Sequence, residues 1–126
     1  MNVKMLCLAG LIAAALPAAA FADVAAELAT AKTHAGRAAK APALAQVQMH
    51  MHHALNCLVG PKGMGFDATQ ANPCAKEGNG AMADATDAAQ KAMISTTVSK
   101  LEAGLKLTDV SAAQSAATDA AASITP

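Results

Sequence analysis

The chain has 126 residues, more than half of them hydrophobic yet only 2% aromatic, and its nine basic side chains balance nine acidic ones. That length suits one domain with a modest core and leaves no room for a separate catalytic domain. Without a basic run there is no positive patch to meet nucleic acid or an anionic membrane, so neither is expected as a partner.

The chain opens with a positive residue, Lys4, an apolar stretch over 5–19 and a small-x-small site at Ala20-Phe21-Ala22. This pattern predicts a secretory signal over 1–22 that is cleaved, leaving 23–126 as a single domain exported to the periplasm or beyond the cell. The stretch is too short and alanine-rich to anchor the product in a membrane. Cys7 lies near the start of the apolar stretch rather than at its end and goes with the leader. Cys57 and Cys74 remain, and an even pair in an exported protein reads as a disulfide.

From residue 24 the chain reads as helix, because alanine has the highest helix propensity and period-two alternation is scarce. Val24, Leu28, Ala31, Ala35, Ala38 and Ala39 recur at helical steps and predict a first helix over 24–40, stopped by Pro42. Leu44, Val47, Met51, Leu55 and Leu58 form the stripe of a second, which ends at Gly60-Pro61. A third is expected over 81–103, ended by Gly104, with Ile94, Val98, Leu101 and Leu105 on its inner face. Thr108 then suits an N-cap, and Val110, Ala113, Ala117, Ala120 and Ile124 line a fourth. The expected fold is all-α: a small, alanine-rich, antiparallel four-helix bundle whose facing alanines draw the helices close.

Between the second and third helices, residues 59–80 hold Gly60, Pro61, Gly63, Gly65, Asn72-Pro73, Gly78 and Gly80. These are turn formers, too dense for helix or strand. A loop this long in a compact domain needs a tie or a task, and a Cys57–Cys74 disulfide would tie it. Gly60-Pro61-Lys62-Gly63-Met64-Gly65 is not a phosphate loop, since no strand precedes it and no Gly-Lys-Ser/Thr closes it.

Three of the four histidines fall in His50-Met51-His52-His53. On a helical wheel His50 and His53 share a face with Cys57, while His52 lies near the opposite edge of the core stripe. Spaced three apart, His50 and His53 reach one ion. His34 stands eight residues before Pro42 and His50 eight after it, so a helical hairpin brings both to one height, provided the two helices are rotated to face each other. A site of His34, His50 and His53 follows, with Glu27, one heptad before His34, as a fourth ligand and with His52 and Met49 as weaker candidates. Imidazole donors suit copper, zinc or nickel, and the function expected is storage, buffering or sensing of such an ion. Met51 lies on the core stripe and reads as packing.

Two other classes compete. A non-enzymatic structural or interaction module would use the stapled loop 59–80, with Phe66 and Asp67 as its contact surface. A haem-binding bundle would take axial ligands from His34, His50, Met49 and Met93, but no Cys-x-x-Cys-His attaches a porphyrin and the small-residue interior leaves little room for one. An enzyme is not expected, because no serine sits in a nucleophile elbow and the carboxylates are scattered singly.

Overall fold

The computed structural model describes residues 22–126, so the leader over 1–22 lies, but for its last residue, outside the described part of the chain. Five helices and no strand occur among the described residues: α1 (Val24–Ala38), α2 (Leu44–Val59), α3 (Ala81–Asp84), α4 (Ala88–Leu105) and α5 (Val110–Ser123). They pack into a small helical bundle in which α1 lies mainly against α2 and α5, and α4 against α2 and α5.

The first helix starts where Asp23 accepts a hydrogen bond from the Ala26 N–H at 3.0 Å. Its expected stripe is buried at Leu28, Ala31, Ala35 and Ala38. Methyl groups at three of those four positions let α2 and α5 approach closely, so the core is thin and intolerant of added volume. The turn at 39–43 then folds α2 back along α1. Val47, Met51, Leu55 and Leu58 are buried as the periodicity implies, but the last turn of α2 is buried all round, from Ala54 through Val59. The long loop covers it. Side chains from one element hold the ends of others: Lys32 donates to the Ile124 carbonyl at 3.0 Å and Gln114 to that of Ala41 at 2.9 Å.

The expected third helix is interrupted. One turn, α3, stops at Asp84; Ala85 is extended, and Asp87 caps a new helix by accepting from the Gln90 N–H at 2.7 Å. The cause is local, because Asp and Thr side chains compete for backbone groups and favour caps over helix interiors. Gly104 does not end α4 either. It is buried inside the helix, where an added Cβ would stand 2.8 Å from the Met51 methyl and 3.1 Å from the Ala116 Cβ. Its role is to make room. The cap of the last helix is Asp109 rather than Thr108, its carboxylate accepting from the Ala112 N–H at 2.8 Å.

The loop is fixed at several points. Cys57 and Cys74 form the expected disulfide, with Cα atoms 5.2 Å apart. Asn56, fully buried, donates from its amide to the carbonyls of Asp67 and Ala71 at 2.9 and 3.1 Å and accepts from the Asp67 N–H at 2.9 Å. The loop's two ends cross at Gly60 and Gly80, both at positive φ, where a Cβ on Gly60 would stand 1.8 Å from the Asn79 carbonyl oxygen. Only glycine fits both the dihedral and the contact.

Candidate metal centre

The site is built on the α1–α2 hairpin. His34 lies in the third turn of α1, and His50 and His53 lie one turn apart on the second helix, all three partly buried. The hairpin brings His34 level with His50 because each stands eight residues from Pro42. Core stripes on both helices turn the histidine faces toward each other. Their ring centroids are 5.6 Å apart for His34–His50, 5.1 Å for His34–His53 and 5.7 Å for His50–His53, with the His53 ring edge-on to both of the others.

Each ring offers one nitrogen to the group, and these three atoms lie within 4.8 Å of one another. The Nδ1 atoms of His34 and His50 are 3.4 Å apart. Two nitrogens bound at 2.0–2.1 Å to one tetrahedral zinc ion are separated by roughly 3.4 Å, so this edge of a coordination tetrahedron already stands in place. The same contact also serves as a hydrogen bond between two neutral imidazoles, one donating and one accepting. His53 Nδ1 is shielded from solvent and has no hydrogen-bond partner.

The rings are held neutral. Burial pushes the His34 imidazole down to about 4, helped by His53, Arg37 and His50. Burial also lowers His50, with Arg37 adding to the effect, and lowers His53, with His50 and His52 adding. At neutral pH each ring thus keeps one unprotonated nitrogen. No proton need be displaced first. Among the described residues no carboxylate joins the group, and charged neighbours are Arg37 and, in the cleft beside His50, Lys40.

The other expected ligands lie elsewhere. Glu27 sits two turns before His34, about 10.5 Å along the axis. It is fully buried, with Oε1 accepting from the Gly80 N–H at 2.8 Å and Oε2 unpartnered. Its carboxyl is pushed up to about 7, mainly by burial and further by Asp84, Glu77 and Asp23, against the lowering effect of the Gly80 bond. Glu27 thus locks the loop onto α1, and Thr30 supports it by donating to the Glu77 carboxylate at 2.9 Å. His52 faces Asp67 at 3.6 Å. Met49 is 37% exposed, and Met51 is wholly buried in the core. Cys57 belongs to the disulfide, which removes it as a thiolate ligand.

Phe66 is packed partly against the core, and the Asp67 carboxylate is taken up by the Thr69 N–H and hydroxyl, at 2.9 and 2.6 Å, which with the neighbouring His52 hold it below its usual value. The loop's exposed apolar residue is Met64 instead. For haem, the 3.4 Å between His34 and His50 leaves no slot for a macrocycle between them, and Met93 on α4 has its sulfur beside the Thr97 hydroxyl. Sequence reasoning missed the structural weight of Asn56 and Glu27. A polar residue inside an apolar helical stripe was the available signal for Glu27.

Among the described residues no helix is long and apolar enough to cross a membrane. Comparison of the chain with family models, with curated protein sequences and with solved structures found no match.

Proposed function

We propose that the protein is a small exported helical protein that holds one late first-row transition metal ion, copper, zinc or nickel, at His34, His50 and His53, for storage, buffering or sensing. The observation that carries this reading is the His34–His50 nitrogen separation of 3.4 Å, which matches a tetrahedral edge, in a trio kept neutral by its surroundings. An all-imidazole donor set suits these metals over calcium or magnesium, which take oxygen. Export is supported by the leader pattern and by a disulfide of the kind that oxidising compartments sustain. The reading assigns no reaction.

Equilibrium dialysis with copper(II), zinc(II) and nickel(II) tests it. About one tightly held ion per chain is expected for at least one metal. His34→Ala and His50→Ala should each weaken binding by tenfold or more, since loss of even an outer partner of a ligand costs 10- to 100-fold. Unchanged affinity in His34→Ala would remove the interhelical site. A second reading, in which residues 59–80 form a contact surface for another protein, is favoured by Met64, which stands 93% exposed on the stapled loop. A pull-down lost on Met64→Ser, together with no metal binding, would select it.

A further inference from the structure

Three imidazole ligands bring no charge to a divalent ion, and among the described residues His34, His50 and His53 are joined by no carboxylate. What stands next to them is positive. Arg37 follows His34 by three residues on the same face of α1 and lines one cleft with His50. A cleft of about 520 Å³ opens beside His50, lined by Arg37 and Lys40 together with Thr33 and Gln46. Its size lies within the range of small-molecule sites. Among the described residues neither Arg37 nor Lys40 forms an ion pair, although acidic side chains equal basic ones in number over the chain. A bound divalent ion would therefore add two positive charges beside an unpaired guanidinium and an unpaired ammonium. Zinc-type sites with three protein ligands also keep a fourth position for an outside ligand.

Resting on the metal reading above, we propose that the cleft admits a small oxygen-bearing anion, a carboxylate or a phosphate, that fills the metal's fourth position with one oxygen and pairs with Arg37 and Lys40 through the others. The protein then binds a metal and an anion as one neutralised unit. Guanidinium is suited to this because its fork matches carboxylate and phosphate oxygens, while Lys40 supplies a movable point charge. The anion also offsets the repulsion between Arg37 and the ion. Thr33 adds a hydroxyl and Gln46 an amide on the cleft wall.

Cobalt(II) is the probe, because its visible absorption reports coordination number and ligand exchange. The protein is titrated with cobalt(II) at fixed ionic strength in perchlorate, and the loaded protein is then titrated separately with acetate, succinate and inorganic phosphate. A saturable spectral change with at least one of the three is expected. Strongest binding of succinate would mark a carboxylate ligand, and strongest binding of phosphate a phosphate one. Arg37→Gln should weaken that anion about two- to fivefold, the range for a solvent-screened charge pair, and Arg37→Gln with Lys40→Gln should weaken it further. Cobalt(II) affinity in perchlorate alone should stay the same or rise. A cobalt spectrum that no anion moves, or an anion affinity unchanged by Arg37→Gln, overturns this proposal and leaves the metal site standing. Failure of cobalt(II) to bind, together with failure of copper(II), zinc(II) and nickel(II) in dialysis with or without anions, overturns both.

Discussion

His34 is the residue displaced furthest from ordinary histidine behaviour, from 6.5 to about 4, and Glu27, two turns away on the same helix, is displaced in the opposite direction, from 4.5 to about 7. Their effects on stability oppose each other. For the lowered histidines the unfolded chain takes up protons first, so stability is full above about 6.5 and falls as pH drops toward 4. For Glu27 the folded chain keeps its proton longer, so stability is full below about 4.5 and falls as pH rises toward 7, then stays level. Urea unfolding of the metal-free protein and of Glu27→Gln, which keeps an acceptor for the Gly80 N–H, separates the two. The variant should gain on the parent by on the order of 2 kcal/mol more at pH 8 than at pH 4.5, and an equal difference at both would show that Glu27 titrates normally. Metal affinity should change less from pH 7.5 to 6.5 than for ordinary histidines, because His34 is already deprotonated and burial lowers His50 and His53 as well, and zinc dialysis over that interval checks it. The histidine trio itself was legible, since helical spacing and distance from Pro42 depend only on helix geometry. Glu27 was not: its heptad relation to His34 holds, but a buried carboxyl answers to whatever packs over it, and that is a loop with no period.

At the scale of elements, two kinds of position decide whether the chain closes correctly. Asn56 satisfies two carbonyls and one N–H of the loop from inside α2. Asn56→Ala leaves these buried groups without partners and should destabilise the protein by about 2–4 kcal/mol, read from the urea midpoint. Gly104 answers to the reverse demand, for space. In Gly104→Ala the helix gains about 1 kcal/mol of propensity against a shift of the flexible Met51 end, so little net change is expected; Gly104→Leu has no such outlet and should cost roughly 2 kcal/mol or more. Thermal melts of the pair distinguish a packing glycine from a helix-ending one, for which both would be costly. The apolar stripes of α1, α2 and α5 were readable because one period held across each of them. The break at 85–87 was not, because alanine flanks it on both sides and the cap at Asp87 wins by a single hydrogen bond. Thr108 and Asp109 are both capping residues, and only the path of the chain into α5 selects the second.

The whole molecule joins a thin core to one covalent cross-link, and the proposed metal would supply a second of a different kind. With so few large side chains inside, the Cys57–Cys74 bond is a large part of what holds the fold; a loop of this size contributes about 3 kcal/mol. The Cys57→Ser, Cys74→Ser variant should melt well below the parent, and an unchanged midpoint would mean that Asn56 and Glu27 suffice to hold the loop. Metal acts by mass action: zinc at a hundred times its dissociation constant adds about 2.7 kcal/mol. In a domain of this length that raises the midpoint by roughly 10 °C or more, and His53→Ala should lose most of that gain.

The crossing of Gly60 and Gly80 has a bearing on how the chain can change over time. Because the backbone leaves α2 and arrives at α3 at the same spot, the stretch between is a detour that returns to its origin, and the bundle would meet the same end points if the detour were longer or shorter. Added length costs little, only about 0.6 kcal/mol for each doubling of a loop. The exposed positions Pro61, Lys62 and Met64, ahead of the Asn56 contacts, are therefore free to change or take insertions while His34, His50 and His53 stay where they are, whereas Gly63, with no room for a Cβ, and Phe66, packed against the core, are held. The protein can acquire new surfaces on that side without renegotiating the old one.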